Sequence, residues 1–224
     1  MSSGPDPIRH VRAPRPDPSS DSMRWLRAHV DGVLRSADRI EPVKFVLAPA
    51  TGDPVAPIPG EIIDEGECVL LVPDEAEGAL QLMVRPIELD ARMDADCDRW
   101  LIYHIKARAA TRWARLEILA AKRFQHVLDP DQIRTPSPFA GGEARALKAL
   151  NAHPTLAADV AAQITGTRPN QARFVGVDPW GVDVRTTLGI LRVELEPPMG
   201  AIEEIDAALG AIVRGEGSGN VAGG

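Results

Sequence analysis

The stretch RFVGVDPWGVDVRTTLGILRVEL, from Arg173 to Leu195, decides the fold of the second half of the chain. Two short runs rich in β-branched residues, Phe174 to Val177 and Val182 to Arg185, flank the tetrapeptide DPWG at 178–181. Proline at the second position and glycine at the fourth are typical of a tight turn. The stretch therefore predicts a β-hairpin, and the run Ile190 to Leu195 predicts a third strand.

Helical patterns lie on both sides of this hairpin. They cover Glu143 to Gly166 and Ile202 to Arg214, and Pro154 predicts a break in the first of them. Together, the three runs and the helices predict a small α/β domain, in which helices pack on a three-stranded antiparallel sheet.

The first half of the chain has the pattern of consecutive strands. Six runs rich in Val, Ile and Leu predict strands at Val43 to Ala48, Val55 to Ile63, Glu67 to Val72, Leu80 to Ile87, Thr111 to Ala120 and Phe124 to Leu128. The first four are separated by short turn signals. Parallel crossover units need a helix between each pair of strands, so this spacing favours an antiparallel meander or small barrel.

Two helices are predicted around these strands, because apolar residues recur there at steps of three and four. The first covers Met23 to Ile40 and precedes the strands. The second covers Asp94 to Arg108, with Trp100 and His104 on its apolar stripe, and interrupts the barrel. The predicted fold class is therefore α+β: a six-stranded antiparallel barrel with an inserted helix, followed by the small α/β domain.

This pattern gives the following predicted organisation: a disordered tail at 1–22, a barrel domain at 23–130, a linker at 131–142, the α/β domain at 143–214 and a disordered tail at 215–224. The first tail and the linker are rich in proline, and the last tail is mostly glycine and other small residues. Such compositions bury too little apolar surface to order a chain.

Composition restricts the class of partner and the cellular location. The net charge is −7 and the isoelectric point is near 5.3, so the chain lacks the positive field that gathers nucleic acid or anionic lipid. No apolar run approaches the roughly 20 residues that cross a bilayer, and the N-terminus lacks the apolar centre of a secretory signal. We therefore expect a cytoplasmic protein that binds neither nucleic acid nor membranes.

Common catalytic and metal-binding motifs are missing. Cys68 and Cys97 have no second ligand at zinc spacing, and we interpret both as reduced thiols, with a disulfide between them as the open alternative. The sequence also contains no nucleophile elbow, P-loop or GxGxxG turn. Hydrolase and nucleoside triphosphatase activities thus have no support, no metal site is predicted, and no catalytic residue is identified.

The predicted architecture resembles two known families. Six strands with a leading and an inserted helix, over about residues 23–130, resemble the split barrel of the pyridoxamine 5'-phosphate oxidase-like superfamily. The helix, the hairpin pattern VG-D-x-x-G-x-D-x-R and the last strand resemble the C-terminal domain of haem-iron utilisation proteins. The chain departs from that family at LNAHP, 150–154, where the family has Met-Asn-x-Asp-His. The resemblance implies a homodimer that holds FMN or haem in grooves between its chains.

The resemblance also implies where a cofactor would be bound. A buried phosphate needs several cationic donors, and the predicted phosphate or propionate contacts are Arg99, Arg112, Arg115 and Lys122. His104 is the predicted contact to a cofactor ring or iron. The alternative, which stays open, is that the cations form a solvated surface and that His104 is a hydrogen-bonded residue between helix and barrel.

Other residues have two interpretations each. Trp100 and Trp113 would either stack on a planar cofactor, with Tyr103 close by, or anchor the inserted helix. In the hairpin, Asp178 suits the first position of the turn, and Asp183 is predicted to pair with Arg185 on the same strand face.

The sequence thus predicts a flavin- or haem-binding protein, either an FMN-dependent oxidoreductase or a haem-utilisation protein. The alternative is a cofactor-free interaction or regulatory module of the same fold, and an unrelated small barrel fused to an α/β domain is a third reading.

Overall fold

The computed structural model describes residues 18–37, 39–74, 78–107, 111–216 and 219–221. These residues form two antiparallel sheets and seven α-helices, in agreement with the predicted α+β class. Most of the predicted N-terminal tail and Arg108, at the end of the predicted second helix, lie outside the described residues.

The larger sheet contains the first eight strands of the chain. They are β1 (Asp31–Arg35), β2 (Ile40–Lys44), β3 (Val46–Leu47), β4 (Pro54–Pro59), β5 (Cys68–Val72), β6 (Leu80–Glu88), β7 (Thr111–Arg123) and β8 (His126–Leu128). Seven of them follow the order β2-β1-β5-β6-β7-β4-β3, and β8 pairs with β7 beside that path.

This sheet nearly closes into a barrel. Strands β2 and β3 stand at the two ends of the order, yet only Phe45 separates them in the chain. Phe45 is fully buried, and its N–H donates to Val30 O at 2.8 Å. Alternation along each strand fills the interior: in β6, Leu80, Leu82 and Val84 are buried while the residues between them are exposed.

The prediction of six strands was wrong: β1 lies where the first helix was predicted, and the strand predicted at Val43 to Ala48 is divided into β2 and β3. Helix α1 covers Pro18–Ala28 and is followed by β1, so the predicted helix from Met23 to Ile40 ends early. Strand β1 pairs with β5 on one side and β2 on the other. Gly32 permits this close approach, because a Cβ there would lie 2.4 Å from Leu71 O. Tertiary pairing overrides the helical spacing of the apolar residues.

The remaining differences in the first half are local. The predicted strand Val43 to Ala48 bends at Phe45 into β2 and β3, and the predicted strand Val55 to Ile63 becomes β4 followed by helix α2 (Gly60–Glu65). The inserted helix is present as α3 (Ala95–His104). One turn of helix, α4 (Pro130–Ile133), occupies the start of the predicted linker.

The smaller sheet confirms the predicted hairpin and third strand. Its strands are β9 (Ala172–Asp178), β10 (Gly181–Thr186), β11 (Gly189–Leu195) and β12 (Gly219–Val221), in the order β12-β11-β10-β9. Asp178 pairs with Gly181, and the Asp178 carboxylate accepts the N–H of Trp180 at 2.8 Å. Asp178 therefore has the predicted turn role.

Three helices cover the smaller sheet: α5 (Glu143–Leu150), α6 (Leu156–Thr165) and α7 (Glu204–Val213). The gap between α5 and α6 contains Pro154, as predicted. Two short pieces of the stretches predicted as disordered tails are regular elements here, namely residues 18–22 in α1 and residues 219–221 in β12.

Apolar side chains form three buried clusters. One fills the barrel, and a second lies between the smaller sheet and its helices. The third joins the two halves, because Val46 and Val55 from the barrel, Trp100 and Tyr103 from α3 and Val175 from β9 pack together. Helix α3 therefore lies between the two sheets.

Candidate functional site

Helix α3 starts at a regular cap. The Asp94 carboxylate accepts the N–H of Asp96 at 2.9 Å, which satisfies one of the free donors of the first turn. Four residues apart on one face, Trp100 and His104 contact the barrel. The Trp100 indole N–H donates to Lys44 O at 2.7 Å, and its ring centroid lies 4.7 Å from that of His104.

A cavity of about 710 Å³ opens beside this face of α3. Small-molecule sites typically measure about 300–1,000 Å³, so the volume suits a cofactor-sized ligand. Its polar and aromatic lining includes His29, Asp31, Lys44, Trp100, His104 and Lys106. Apolar walls come from the β1–β2 region, where Val33, Pro42 and Val43 line it. We name it the His104 cavity.

The His104 imidazole has one nitrogen tied to the backbone. Nε2 lies 3.1 Å from the carbonyl oxygen of Phe45, and since a carbonyl only accepts, we assign the proton to Nε2. The Nδ1 atom then carries the lone pair. Burial lowers the pKa of His104 to about 4, against the opposing effect of the Phe45 hydrogen bond and assisted by the Lys44 charge. The imidazole is therefore neutral at pH 7.

A second histidine on the cavity wall has the opposite tautomer. His29 Nδ1 lies 2.7 Å from Trp25 O, so in the neutral ring Nδ1 carries the proton and Nε2 the lone pair. Its side chain is buried. A backbone carbonyl that holds one ring nitrogen is the usual support of a histidine whose other nitrogen ligates a metal. Both histidines have this form.

The chain reverses sharply at the edge of the His104 cavity. Ile105 has φ 69° and ψ −46°, and Lys106 N donates to His104 O at 2.8 Å. This is a γ-turn with positive φ at its central residue, a rare and strained conformation that is especially unfavourable for a β-branched side chain. It brings the cavity-lining residues His104 and Lys106 to either side of the turn.

The three arginines among the predicted cationic contacts are held by carboxylates. Arg99 lies 2.6 Å from Glu143 and 3.2 Å from Tyr103 Oη. The Arg112 guanidinium bonds both oxygens of Glu88 and also Asp64 at 2.9 Å, and Arg115 lies 3.2 Å from Asp94.

Lys122 is exposed on β7, between Gln81 and Val127 of the neighbouring strands. Of the five predicted contacts, only His104 is among the described residues that line the His104 cavity. The structure thus does not bring the five residues together, and their role in cofactor binding stays a prediction.

The aromatic residues divide between two roles. Trp100 and Trp113 meet edge to face with centroids 5.5 Å apart, which supports the anchoring interpretation, while Trp100 also lines the His104 cavity. Tyr103 faces away from that cavity. Its hydroxyl donates to the Asp183 carboxylate at 2.7 Å, and burial, followed by the nearby charge of Asp183, raises the pKa of Tyr103 well above 10.

A buried ionic network lies between α3 and the hairpin. Its residues are Arg27, Arg99, Tyr103, Glu143, Asp178, Asp183 and Arg192, and we call it the hairpin network. Arg192 binds Asp178 at 2.6 Å and Asp183 at 3.2 Å. The predicted pair of Asp183 with Arg185 is wrong, because Arg185 instead donates to Ile102 O.

Sequence reasoning missed this network, although a signal existed. Three residues of the VG-D-x-x-G-x-D-x-R pattern, Gly176, Asp178 and Asp183, meet at the network. Burial alone would raise the pKa of Asp178, but the charges of Arg192 and Arg27 outweigh it and lower that pKa. A cavity of about 30 Å³ lies against the network, and His29 lines both this cavity and the His104 cavity.

Two further observations concern metals and membranes. No group of three or more His, Cys, Asp or Glu side chains suited to a metal ion occurs within the described ranges. Among the helices that the structure describes, none is long and apolar enough to cross a membrane.

Comparison with known proteins identifies a shared fold but no family. No protein-family model matches the chain, and no curated protein matches it. A solved protein of unknown function from Agrobacterium tumefaciens is 16% identical, with a TM-score of 0.66 over 91% of this chain and 100% of that chain. A haem-binding protein from Mycobacterium smegmatis is 15% identical, with a TM-score of 0.44 over 90% of this chain and 98% of that chain. At 16% identity, the first likeness shows the fold alone.

Proposed function

We propose that the His104 cavity binds a planar conjugated cofactor with acidic substituents, and that haem fits its residues best. The observation that carries this proposal is the neutral imidazole of His104, whose Nε2 is held by Phe45 O and whose Nδ1 is available, in a cavity of about 710 Å³. Cofactor sites combine such volume with a few oriented polar groups.

The donors around the cavity suit haem. His104 Nδ1 or His29 Nε2 would supply an iron ligand, since each imidazole has its other nitrogen held by a backbone carbonyl. Lys44 and Lys106 would pair with propionates, and Trp100 supplies an aromatic wall. Bound haem would supply electron transfer or ligand binding at its iron, while this chain orients the group and limits access of water to it.

The donors suit FMN less well. A phosphate dianion needs several charge-assisted hydrogen bonds, and Arg99, Arg112 and Arg115 already bind Glu143, Glu88 and Asp94. An FMN-dependent oxidoreductase would require those arginines to leave their carboxylates or the two cavity lysines to replace them. Flavin therefore ranks second as a ligand of this cavity.

A second candidate function is a cofactor-free interaction module. It is supported by the ion pairs of Arg99, Arg112 and Arg115, because these arginines already bind carboxylates of the chain. On the outer face of the barrel, Met83 and Ile87 of β6 and Val127 of β8 are exposed apolar residues. Such residues are typical of contact surfaces when they lie together. The homodimer implied by the resemblance belongs to this proposal as well as to the first, and sedimentation equilibrium of the purified chain measures it.

Titration with two cofactors tests the first proposal against the second. We expect haemin to bind saturably at one equivalent per chain, and FMN at least tenfold more weakly. Lys44→Ala and Lys106→Ala should each weaken haemin binding about two- to fivefold, as expected for an exposed ion pair, and Lys148→Ala on α5 is the matched control. Tight FMN binding without haemin binding would refute the haem assignment, and binding of neither would favour the interaction module.

A further inference from the structure

Helix α3 carries two adjacent pairs of functional residues. Trp100 and His104 contact the barrel and line the His104 cavity. One residue earlier along the helix, Arg99 and Tyr103 contact the smaller sheet and α5. Because residues four apart share a helix face, the two pairs form neighbouring stripes on a helix of only ten residues. A shift of one stripe must move the other.

The hairpin is shaped to receive Tyr103. At Gly176 a Cβ atom would meet Tyr103 Oη at 1.7 Å and Asp183 Oδ2 at 2.7 Å, so only glycine leaves room for the hydroxyl. The pairing of β9 with β10 shifts register between Asp183 and Val184, next to the position where the tyrosine enters. Bulges of this kind redirect side chains beside a contact.

Charges fix the tyrosine in this position. Asp183 accepts from Tyr103 Oη at 2.7 Å and from Arg192 at 3.2 Å, and Arg99 donates to Tyr103 Oη at 3.2 Å. On the other side, Glu143 binds Arg99 at 2.6 Å and accepts the N–H of Val177 at 3.1 Å. The hairpin network contains three arginines and three carboxylates, so its formal charges balance. Buried hydrogen-bonded charges tolerate few alternative arrangements, which gives such a contact a defined geometry.

We propose that Tyr103 is a positioning residue for the His104 cavity, through which the hairpin of the smaller sheet holds α3 and thereby sets the position of the His104 imidazole. The effect on haemin affinity rests on the proposed function. The effect on the position of His104 does not. The hairpin pattern does not line the cavity. Its role in this inference is to fix the position of α3, so that the smaller sheet affects the ligand site without touching the ligand.

The test combines a displaced hairpin with its matched control. Gly176→Ala places a methyl group against Tyr103 Oη, whereas Gly141→Ala adds a methyl group in open space. The imidazole ¹⁵N shifts of His104 at pH 7, from long-range ¹H–¹⁵N NMR of the full chain without ligand, report its position and tautomer. We expect Gly176→Ala to move the His104 signals and leave those of His126, on β8, in place. Gly141→Ala should move neither.

The same substitution in a Tyr103→Ala chain tests whether Tyr103 transmits the effect from Gly176 to His104. In Tyr103→Ala chains, the added methyl group has no hydroxyl to displace, so Gly176→Ala should change the His104 signals much less. Unchanged His104 signals in folded Gly176→Ala would overturn the inference, and so would equal changes in both backgrounds. Should Gly176→Ala fail to fold, Tyr103→Phe gives the same decision: movement of the His104 signals supports the inference, and their identity with the wild type overturns it.

Haemin affinity provides the functional readout. If the proposed function holds, Gly176→Ala should weaken haemin binding at least tenfold relative to the wild type and Gly141→Ala. An equal affinity in all three would overturn the functional part of the inference. If the wild type binds no haemin, the proposed function fails, while the NMR comparison still decides whether Tyr103 positions His104.

Discussion

The backbone at Ile105 illustrates how one residue stores strain beside the His104 cavity. The residue is 71% exposed, so it contributes little buried surface to offset the cost of a φ of 69°. Glycine adopts positive φ without steric cost, although it loses more entropy on folding. We therefore expect Ile105→Gly to stabilise the protein by about 1 kcal/mol, which corresponds to a rise of about 2–4 °C in melting temperature.

Thermal unfolding measures this effect, and Ile105→Ala is the control because alanine removes the β-branch but keeps the strain of an L-residue. A gain from Ile105→Ala equal to that from Ile105→Gly would contradict the assignment of strain to the backbone.

His104 makes stability depend on pH. Its pKa is lowered from 6.5 to about 4 in the folded chain, mainly by burial, and Lys44 and Asp31 are the charges that act on it. Between these values the unfolded chain binds more protons than the folded chain, so stability falls as the pH is lowered from 6.5 towards 4. We expect His104→Asn to reduce this slope in urea unfolding at pH 7, 5.5 and 4.5. Parallel pH profiles for the variant and the wild type would contradict the burial of a neutral imidazole.

Single residues of the site were only partly accessible from sequence. The helical spacing of Trp100 and His104 predicted that they share a face, since that relation is local. The ion pairs of Arg99 with Glu143 and of Arg112 with Asp64 span 44 and 48 residues. No spacing rule reveals partners so far apart, so the sequence did not show that Arg99, Arg112 and Arg115 each bind a carboxylate.

Strand β1 shows the same limit for whole elements. Val30, Val33 and Leu34 are spaced as on a helix, although Gly32 within the segment is unfavourable for a helix. Pairing with β5 decides the outcome, because Gly32 lies against Leu71 O. The hairpin of β9 and β10 was predictable because its turn residues are consecutive, and the break at Pro154 was predictable because proline acts locally.

Gly32 provides the test of this element. A methyl group at residue 32 would lie 2.4 Å from the Leu71 carbonyl oxygen, which has no flexible end that can move away. We expect Gly32→Ala to lower the free energy of unfolding by about 1–3 kcal/mol, as overpacking does. Denaturant unfolding of Gly32→Ala and of Gly141→Ala, where the added methyl group meets nothing within 4 Å, makes the comparison. Equal stabilities would show that β1 does not pair closely with β5.

On the scale of the whole molecule, Arg192 is the centre of the ion pairs that link the smaller sheet to α1 and α3. It is 5% exposed and binds both Asp178 and Asp183, which in turn contact Arg27 of α1 and Tyr103 of α3. Loss of one member of a buried pair leaves an uncompensated charge at a cost of about 3–5 kcal/mol. We therefore expect Arg192→Met to lower the melting temperature by roughly 10 °C.

Arg112→Met is the control for Arg192→Met, because its ion pairs with Glu88 and Asp64 are exposed and water and salt screen such pairs, so their loss changes stability little. Calorimetry of both variants measures their melting temperatures and shows whether the hairpin network is needed for stability. Similar melting temperatures for the two variants would contradict the account of the hairpin network.

The whole molecule thus combines a nearly closed barrel with a smaller sheet, and helix α3 lies between the two. The His104 cavity beside α3 contains two histidines, each with one ring nitrogen held by a backbone carbonyl. The most direct test of its central claim is the visible spectrum of haemin titrated into the full chain and into His104→Ala. We expect a saturable Soret band in the wild type, and in His104→Ala a shifted band with at least tenfold weaker binding. Identical spectra and affinities for the two chains would contradict the assignment of the His104 cavity as the cofactor site.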